Sequence, residues 1–161
     1  MQREMVMTIL ARPSELYKDS YLEALKEYQA EGRSLDRDVD ALTKDFAPFI
    51  QGLIRRSDRA TQDPNLVPDS VFWLIDDGRY VGTVSVRHEL TDDLLRRGGH
   101  IGYMIRPLKR KQGYGKLICN LALEKAKELG IKRALITSHA DNIGSKKIIE
   151  ANGGILEYEI E

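Results

Sequence analysis

The stretch Arg110-Lys111-Gln112-Gly113-Tyr114-Gly115 constrains this chain more than any other. It follows an apolar run, His100-Ile101-Gly102-Tyr103-Met104-Ile105-Arg106-Pro107, that reads as a strand. It opens a segment of helical period in which Ile118, Leu121, Ala122 and Leu129 fall on one face. A strand, a glycine-bearing turn and a helix N-terminus make an anion site. The first amides of a helix lack intrahelical partners, and the helix dipole places roughly half a positive charge there. Gly113 and Gly115 allow the backbone to turn those amides outward. Lys109, Arg110, Lys111 and Lys116 add positive charge. The expected guest is a phosphate or pyrophosphate.

Two common phosphate motifs do not fit. A P-loop needs glycine where Arg110 stands and serine or threonine where Leu117 stands. A dinucleotide fingerprint needs a third glycine at the place of Ile118. Neither a kinase nor a dehydrogenase is expected on these grounds.

A second segment narrows the field. After the apolar run Ala134-Leu135-Ile136-Thr137 comes Asp141-Asn142-Ile143-Gly144-Ser145-Lys146-Lys147-Ile148-Ile149-Glu150-Ala151-Asn152-Gly153-Gly154. Taken together, the two segments resemble the GCN5-related N-acetyltransferase (GNAT) superfamily. Its Arg/Gln-x-x-Gly-x-Gly/Ala signature is met by Arg110, Gly113 and Gly115. Its later signature is met by Asn142 and Asn152-Gly153-Gly154. The resemblance covers roughly residues 70 to 160.

The resemblance implies an α/β fold, a central mixed sheet flanked by helices. It also implies transfer of an acetyl group from acetyl-CoA to a primary amine. Backbone groups of Met104, Ile105 and Arg106 would pair with the pantetheine arm. Amides of the loop Arg110, Lys111, Gln112, Gly113, Tyr114, Gly115 and Lys116 would hold the pyrophosphate. Asn142 would touch the arm, with Ser145 and Lys147 near the cofactor. Many members carry a tyrosine seven residues after the Asn as general acid, and here that place is Ile149. Tyr114, Tyr103 and Tyr158 are the candidate substitutes, and protonation of the thiolate by water is the alternative. The superfamily usually closes with a further strand after the last one legible here, so a shortened C-terminal edge is expected.

For the base, the candidates are Glu89, His88 and His100, expected to converge at one sheet edge. The competing reading for each is an ordinary satisfied polar side chain. His139 and Cys119 are expected to be structural, Cys119 as a buried inert thiol. The alternative to an enzyme is a catalytically silent acyl-CoA-binding or regulatory module, which Ile149 favours. An acyl group other than acetyl is a third reading.

The 161 residues suffice for one domain with a full core, expected to span 1–161. Lysine plus arginine equals aspartate plus glutamate at 25 each, so no general attraction to nucleic acid or membrane follows. The partner expected is a small-molecule or peptide amine. One cysteine and three scattered histidines suggest neither a disulfide nor a metal site. The start, Met1 to Met7, shows no signal-like core, and no apolar run reaches membrane-span length. A cytoplasmic protein is expected.

Along the chain, Met5 to Leu10 reads as a strand. Ser14 reads as the cap of a helix carrying the stripe Tyr17, Tyr21, Leu25 and Tyr28 and ending at Gly32. That stripe is read as core packing, with an acceptor groove as the alternative. Asp36, Asp38 and Asp40 tempt a calcium reading, but the loop positions that need Gly and Glu are Ala41 and Ala47. A second helix runs through Phe46, Phe49, Ile50, Leu53 and Ile54. The pair Asp77-Gly78 between Val71-Phe72-Trp73-Leu74-Ile75 and Tyr80 to Glu89 signals a hairpin. Strands are expected near Arg133 to Ser138 and over Ile155 to Ile160. The last alternates apolar and polar residues, and an open edge there suggests a homodimer.

Overall fold

A computed structural model describes residues 7–157. Four antiparallel strands lie in the order β1-β2-β3-β4: β1 Thr8–Ala11, β2 Asp69–Asp76, β3 Arg79–Arg87 and β4 Ile101–Ile105. Between β1 and β2 come three helices, α1 Lys18–Ala30, α2 Val39–Lys44 and α3 Ala47–Arg55. The short α4, Asp92–Arg96, links β3 to β4. After β4 follow α5 Tyr114–Glu128 and α6 Ile143–Ala151.

Local chemistry sets the helix starts. Ser14 caps a 3-10 turn that leads into α1, accepting from the Leu16 amide at 3.2 Å. Asp38 caps α2 through the Ala41 amide at 3.1 Å, and Thr91 caps α4 through Leu94 at 3.3 Å. One of the three tempting aspartates is thus a helix cap. The Asp77-Gly78 pair makes the β2–β3 turn with both residues at positive φ, 51° and 73°.

The sheet has a core on each face. Tyr21, Leu25 and Tyr28 of α1, with Phe46, Ile50 and Leu53, pack against Val71, Trp73, Ile75 and Tyr80. Tyr21 stacks on Trp73 with ring centroids 4.8 Å apart and 3° between planes. The aromatic stripe is therefore core. On the other face, Ile118, Ala122 and Ala126 of α5 cover Leu74, Val81, Val84, Val86, Ile101 and Ile105. Cys119 is buried in the same helix. Leu129 departs from its expected place: it caps the C-terminus of α5 and is 42% exposed.

Between Leu74 and Ile75 the β2–β3 register slips, so that Val81 is the extra residue of a bulge. The Val81 carbonyl then accepts the Arg106 amide at 2.8 Å, which fixes where β4 ends.

One strand expectation needs correction, and two others reach beyond the described residues. Residues 134–139 run on from α5 without joining the sheet as a ladder. They touch the start of β4, where the His100 amide donates to the Leu135 carbonyl at 2.8 Å. Among the described residues the sheet is therefore antiparallel throughout. The expected strand over Ile155 to Ile160 reaches beyond the described residues, as does the first part of Met5 to Leu10. Among the described residues no helix is long and apolar enough to cross a membrane.

Candidate active site

Among the described residues β4 is an edge strand, with β3 on one side only. In an antiparallel pair, residues alternate between facing the partner strand and facing away. At the two ends of this pairing, the Arg87 amide donates to the His100 carbonyl at 2.7 Å and the Arg106 amide to Val81. With the Gly82↔Ile105 to Val86↔Ile101 register, Gly102, Met104 and Arg106 spend their backbone groups on β3. Ile101, Tyr103 and Ile105 face the open edge. Of Met104, Ile105 and Arg106, only Ile105 presents its backbone to the open edge, where Tyr103 stands two residues before it. The Arg106 side chain is also committed. It is 5% exposed, and it pairs with Glu27 on α1 and donates to the Tyr80 carbonyl at 3.2 Å.

The edge leads directly into the anion loop. Gly113 sits at the N-cap of α5 with φ +89°, a left-handed conformation that glycine adopts without a steric cost. Among the described residues no side chain caps the start of this helix. Its first internal bond runs from the Leu117 amide to the Gly113 carbonyl at 3.2 Å, so the amides of Tyr114, Gly115 and Lys116 have no intrahelical acceptor. A side chain added at Gly113 would meet nothing within 4 Å, so the approach is open. Lys111, with φ +61°, Gln112 and Lys116 are exposed around it. A groove of about 430 Å³ lies against Gly113, Lys116, Leu117 and Asn120 on α5 and Ala151 and Asn152 at the end of α6.

Other predicted residues have partners. Arg110 donates from Nη1 and Nη2 to Glu31, the C-cap of α1, at 2.8 and 2.7 Å, and from Nε to the Ile105 carbonyl at 3.1 Å. Its charge faces α1 and not the loop's open side. Tyr114 donates its hydroxyl to Asp76, and that bond raises the tyrosine pKa and lowers the carboxylate's. Asn142 caps α6 by accepting from the Ser145 amide at 3.0 Å. Lys147 is exposed on α6. Ser145 meets Tyr103: the two hydroxyl oxygens lie 3.3 Å apart, bridging β4 and α6. Burial raises the Tyr103 pKa despite that bond, so the phenol keeps its proton at neutral pH. Gly115 lies below, where a Cβ would come within 2.7 Å of Ile148 Cδ1. Asn152 donates to the Lys116 carbonyl at 3.3 Å and ties the end of α6 to the first turn of α5. Ile149 is half-buried on α6, and Tyr158 lies outside the described residues.

The base candidates lie at the end of the sheet where the Arg87 amide meets the His100 carbonyl, and both histidines already have partners. His88 Nε2 lies 2.8 Å from Ser70 Oγ, across β3 to β2. His100 Nδ1 accepts the Leu135 amide at 2.9 Å, so its neutral form carries the proton on Nε2, and burial lowers its pKa. The lone pair needed for a base is already used. Glu89 is exposed just beyond β3. His139 is exposed, and burial raises the Cys119 pKa, keeping it a thiol. Among the described residues no cluster of three or more His, Cys, Asp or Glu side chains is placed to hold a metal.

Comparison with known proteins follows the same geometry. The chain resembles, at 18% identity and a TM-score of 0.54, the structure of a proposed ribosomal-protein-serine acetyltransferase from Vibrio cholerae, over 91% of this chain and 78% of that one. A structure described as a "Probable acetyltransferase" matches at 20% identity and a TM-score of 0.55, over 94% and 79%. At these identities the likeness speaks for the fold. No curated protein matches the chain. The model of the acetyltransferase (GNAT) domain matches residues 23–155. The chain belongs to the GNAT acetyltransferase domain family.

Proposed function

We propose that this protein moves an acetyl group from acetyl-CoA to a primary amine by direct attack. One observation carries the reading: a strand edge with open backbone groups runs straight into an uncapped, lysine-rimmed helix N-terminus. The edge suits the amide-bearing pantetheine arm, which can add to it as a strand does. The loop suits the pyrophosphate.

The thioester is already activated, so the protein has to place it and handle two protons. The Tyr103 or Ile105 amide, both on the open edge, would hydrogen-bond the acetyl carbonyl and stabilise charge on its oxygen during attack. The amine nitrogen bonds to the carbonyl carbon, the C–S bond breaks, and the sulfur leaves as a thiolate. Tyr103 is the proton donor we assign to that thiolate: its hydroxyl stays protonated and crosses from β4 to Ser145. The amine's proton goes to Glu89 or to water.

The silent binding module remains the second reading, favoured by Ile149 and by the occupied Nδ1 of His100. Release of free thiol on incubation with acetyl-CoA and a panel of amines separates the two. A serine-bearing peptide joins that panel, because the Vibrio cholerae structure is described as a proposed ribosomal-protein-serine acetyltransferase. Binding is tested by calorimetry with Gly113→Val. Gly130, at the other end of α5, has φ +85° and nothing within 4 Å, so Gly130→Val carries the same backbone strain far from the loop. Gly113→Val is expected to lose acetyl-CoA affinity while Gly130→Val keeps it. Equal affinity in both would remove the pyrophosphate from this loop.

A further inference from the structure

We propose that Arg110 is a positioning residue that acts through Glu31 to present the first-turn amides of α5, and does not itself bind the pyrophosphate. The proposal rests on the acetyl-CoA reading above. Two rungs join α1 to the segment between β4 and α5. In the first, Glu27 accepts from Arg106 Nε at 3.0 Å and from the Leu108 amide at 3.0 Å, and also from Arg106 Nη2. In the second, Glu31 takes Arg110 bidentately. Glu27 lies in the last turn of α1 and Glu31, four residues on, is its C-cap. Arg106 and Arg110 are four apart around the turn Pro107–Lys109.

The rungs differ in burial. The Arg106 and Glu27 side chains are 7% and 14% exposed, so that rung belongs to the core. The Arg110 and Glu31 side chains are 39% and 29% exposed, so the second rung stands at the mouth of the loop. Each nitrogen of the Arg110 guanidinium has a partner: Glu31 twice and the Ile105 carbonyl once. Arg110 is thus the last residue held by side-chain bonds to α1 before Lys111 enters its left-handed conformation and Gly113 opens the helix. A bidentate fork fixes orientation as well as distance. It also neutralises a carboxylate that would otherwise oppose an incoming phosphate. Arg33, with Nε 3.2 Å from the same carboxylate, adds to that neutralisation.

The two possible roles for Arg110 predict opposite signs. If Arg110 turns to the phosphate, Glu31 is its competitor, and Glu31→Gln strengthens binding. If the pair positions the loop, Glu31→Gln weakens it. The test is calorimetric affinity for CoA with the full chain, beside melting temperatures. Glu31→Gln is expected to weaken CoA binding roughly three- to tenfold, within the range of a partly exposed charged pair. Arg110→Glu is expected to weaken it further. The exchanged pair Glu31→Arg with Arg110→Glu is expected to recover most of the loss, while Glu31→Arg alone stays weak. Melting should move little, because the pair is half-exposed. A purely structural strut would instead move melting and affinity together. Unchanged or tighter binding in Glu31→Gln overturns the proposal, as does an exchanged pair no better than Arg110→Glu. A wild-type chain that fails to bind CoA overturns the acetyl-CoA reading itself, and with it this one, before any variant is made.

Discussion

The Nδ1 lone pair of His100 holds the Leu135 amide, and burial lowers the pKa of the ring. The sign of the consequence is fixed. The fold favours the neutral ring, so its contribution to stability is complete above the unfolded value near 6.5 and is lost as pH falls through the lower folded value. Stability is expected to decline as pH falls below 6.5, and measurements at about pH 7.5 and about pH 5.5 sample that decline above the range of most carboxylates. His100→Asn offers Oδ1 to the same amide and has no proton to gain, so it should flatten that decline. Denaturant midpoints at the two pH values decide, and equal slopes in both proteins would clear His100 of the effect. A second residue-scale outcome concerns Tyr103. Tyr103→Phe keeps the ring and removes the donor, so turnover should fall by about a hundredfold while acetyl-CoA affinity stays near wild type. Undiminished single-turnover transfer would mean that water protonates the thiolate. The same assay with Glu89→Gln reports on the base.

At the scale of elements, the contact between β4 and residues 134–137 rests on Gly99. This residue has φ +60°, and a Cβ there would collide with the Leu135 carbonyl group, its carbon 3.0 Å away. Gly99→Ala should cost about 2 kcal/mol or more, from backbone strain together with the collision. Gly102→Ala, two residues into β4 and with nothing within 4 Å, should cost far less. Urea unfolding of both variants measures the difference, and similar costs would mean that the 134–137 segment does not depend on this contact. The same contact shows what sequence could tell. Local signals read well: the Asp77-Gly78 hairpin and the strand-glycine-helix passage at Gly113 stand as expected. The strand near Arg133 to Ser138 did not, because an apolar run joins a sheet only if a distant edge is in register with it. Register also decided the site. Shifting attention by one residue along β4 moves a backbone group from β3 to the open edge, so Met104 and Arg106 could not be told from Tyr103 and Ile105 by composition. Arg110 and Glu31 are 79 residues apart, and no local pattern joins them.

Across the whole molecule, burial is unevenly shared, and the proposed ligand site lies on the thin side. The sheet between its two cores holds Trp73, Leu74, Tyr80, Val81, Val84 and Val86 at 1% exposure or less. By contrast, α6 has no buried residue and packs chiefly on α5. Its side-chain hydrogen bonds to the rest of the fold are single ones, Asn152 to Lys116 on α5 and Ser145 to Tyr103 on β4. Segments with few buried apolar contacts open locally at a small fraction of the global unfolding free energy. In the free protein, amides of 134–151 should therefore exchange with solvent well before those of β2 and β3. If acetyl-CoA lies between the β4 edge and α6, it bridges the thin side to the thick one and removes that opening by mass action. Saturating acetyl-CoA at about a hundred times its Kd should slow exchange in 134–151 and in the first turn of α5 by up to about a hundredfold, while β2 and β3 slow only if they exchange through the same opening. Hydrogen exchange read by mass spectrometry, with and without acetyl-CoA, makes the comparison. Protection spread evenly over the sheet, with none added at α6, would place the ligand elsewhere on the molecule.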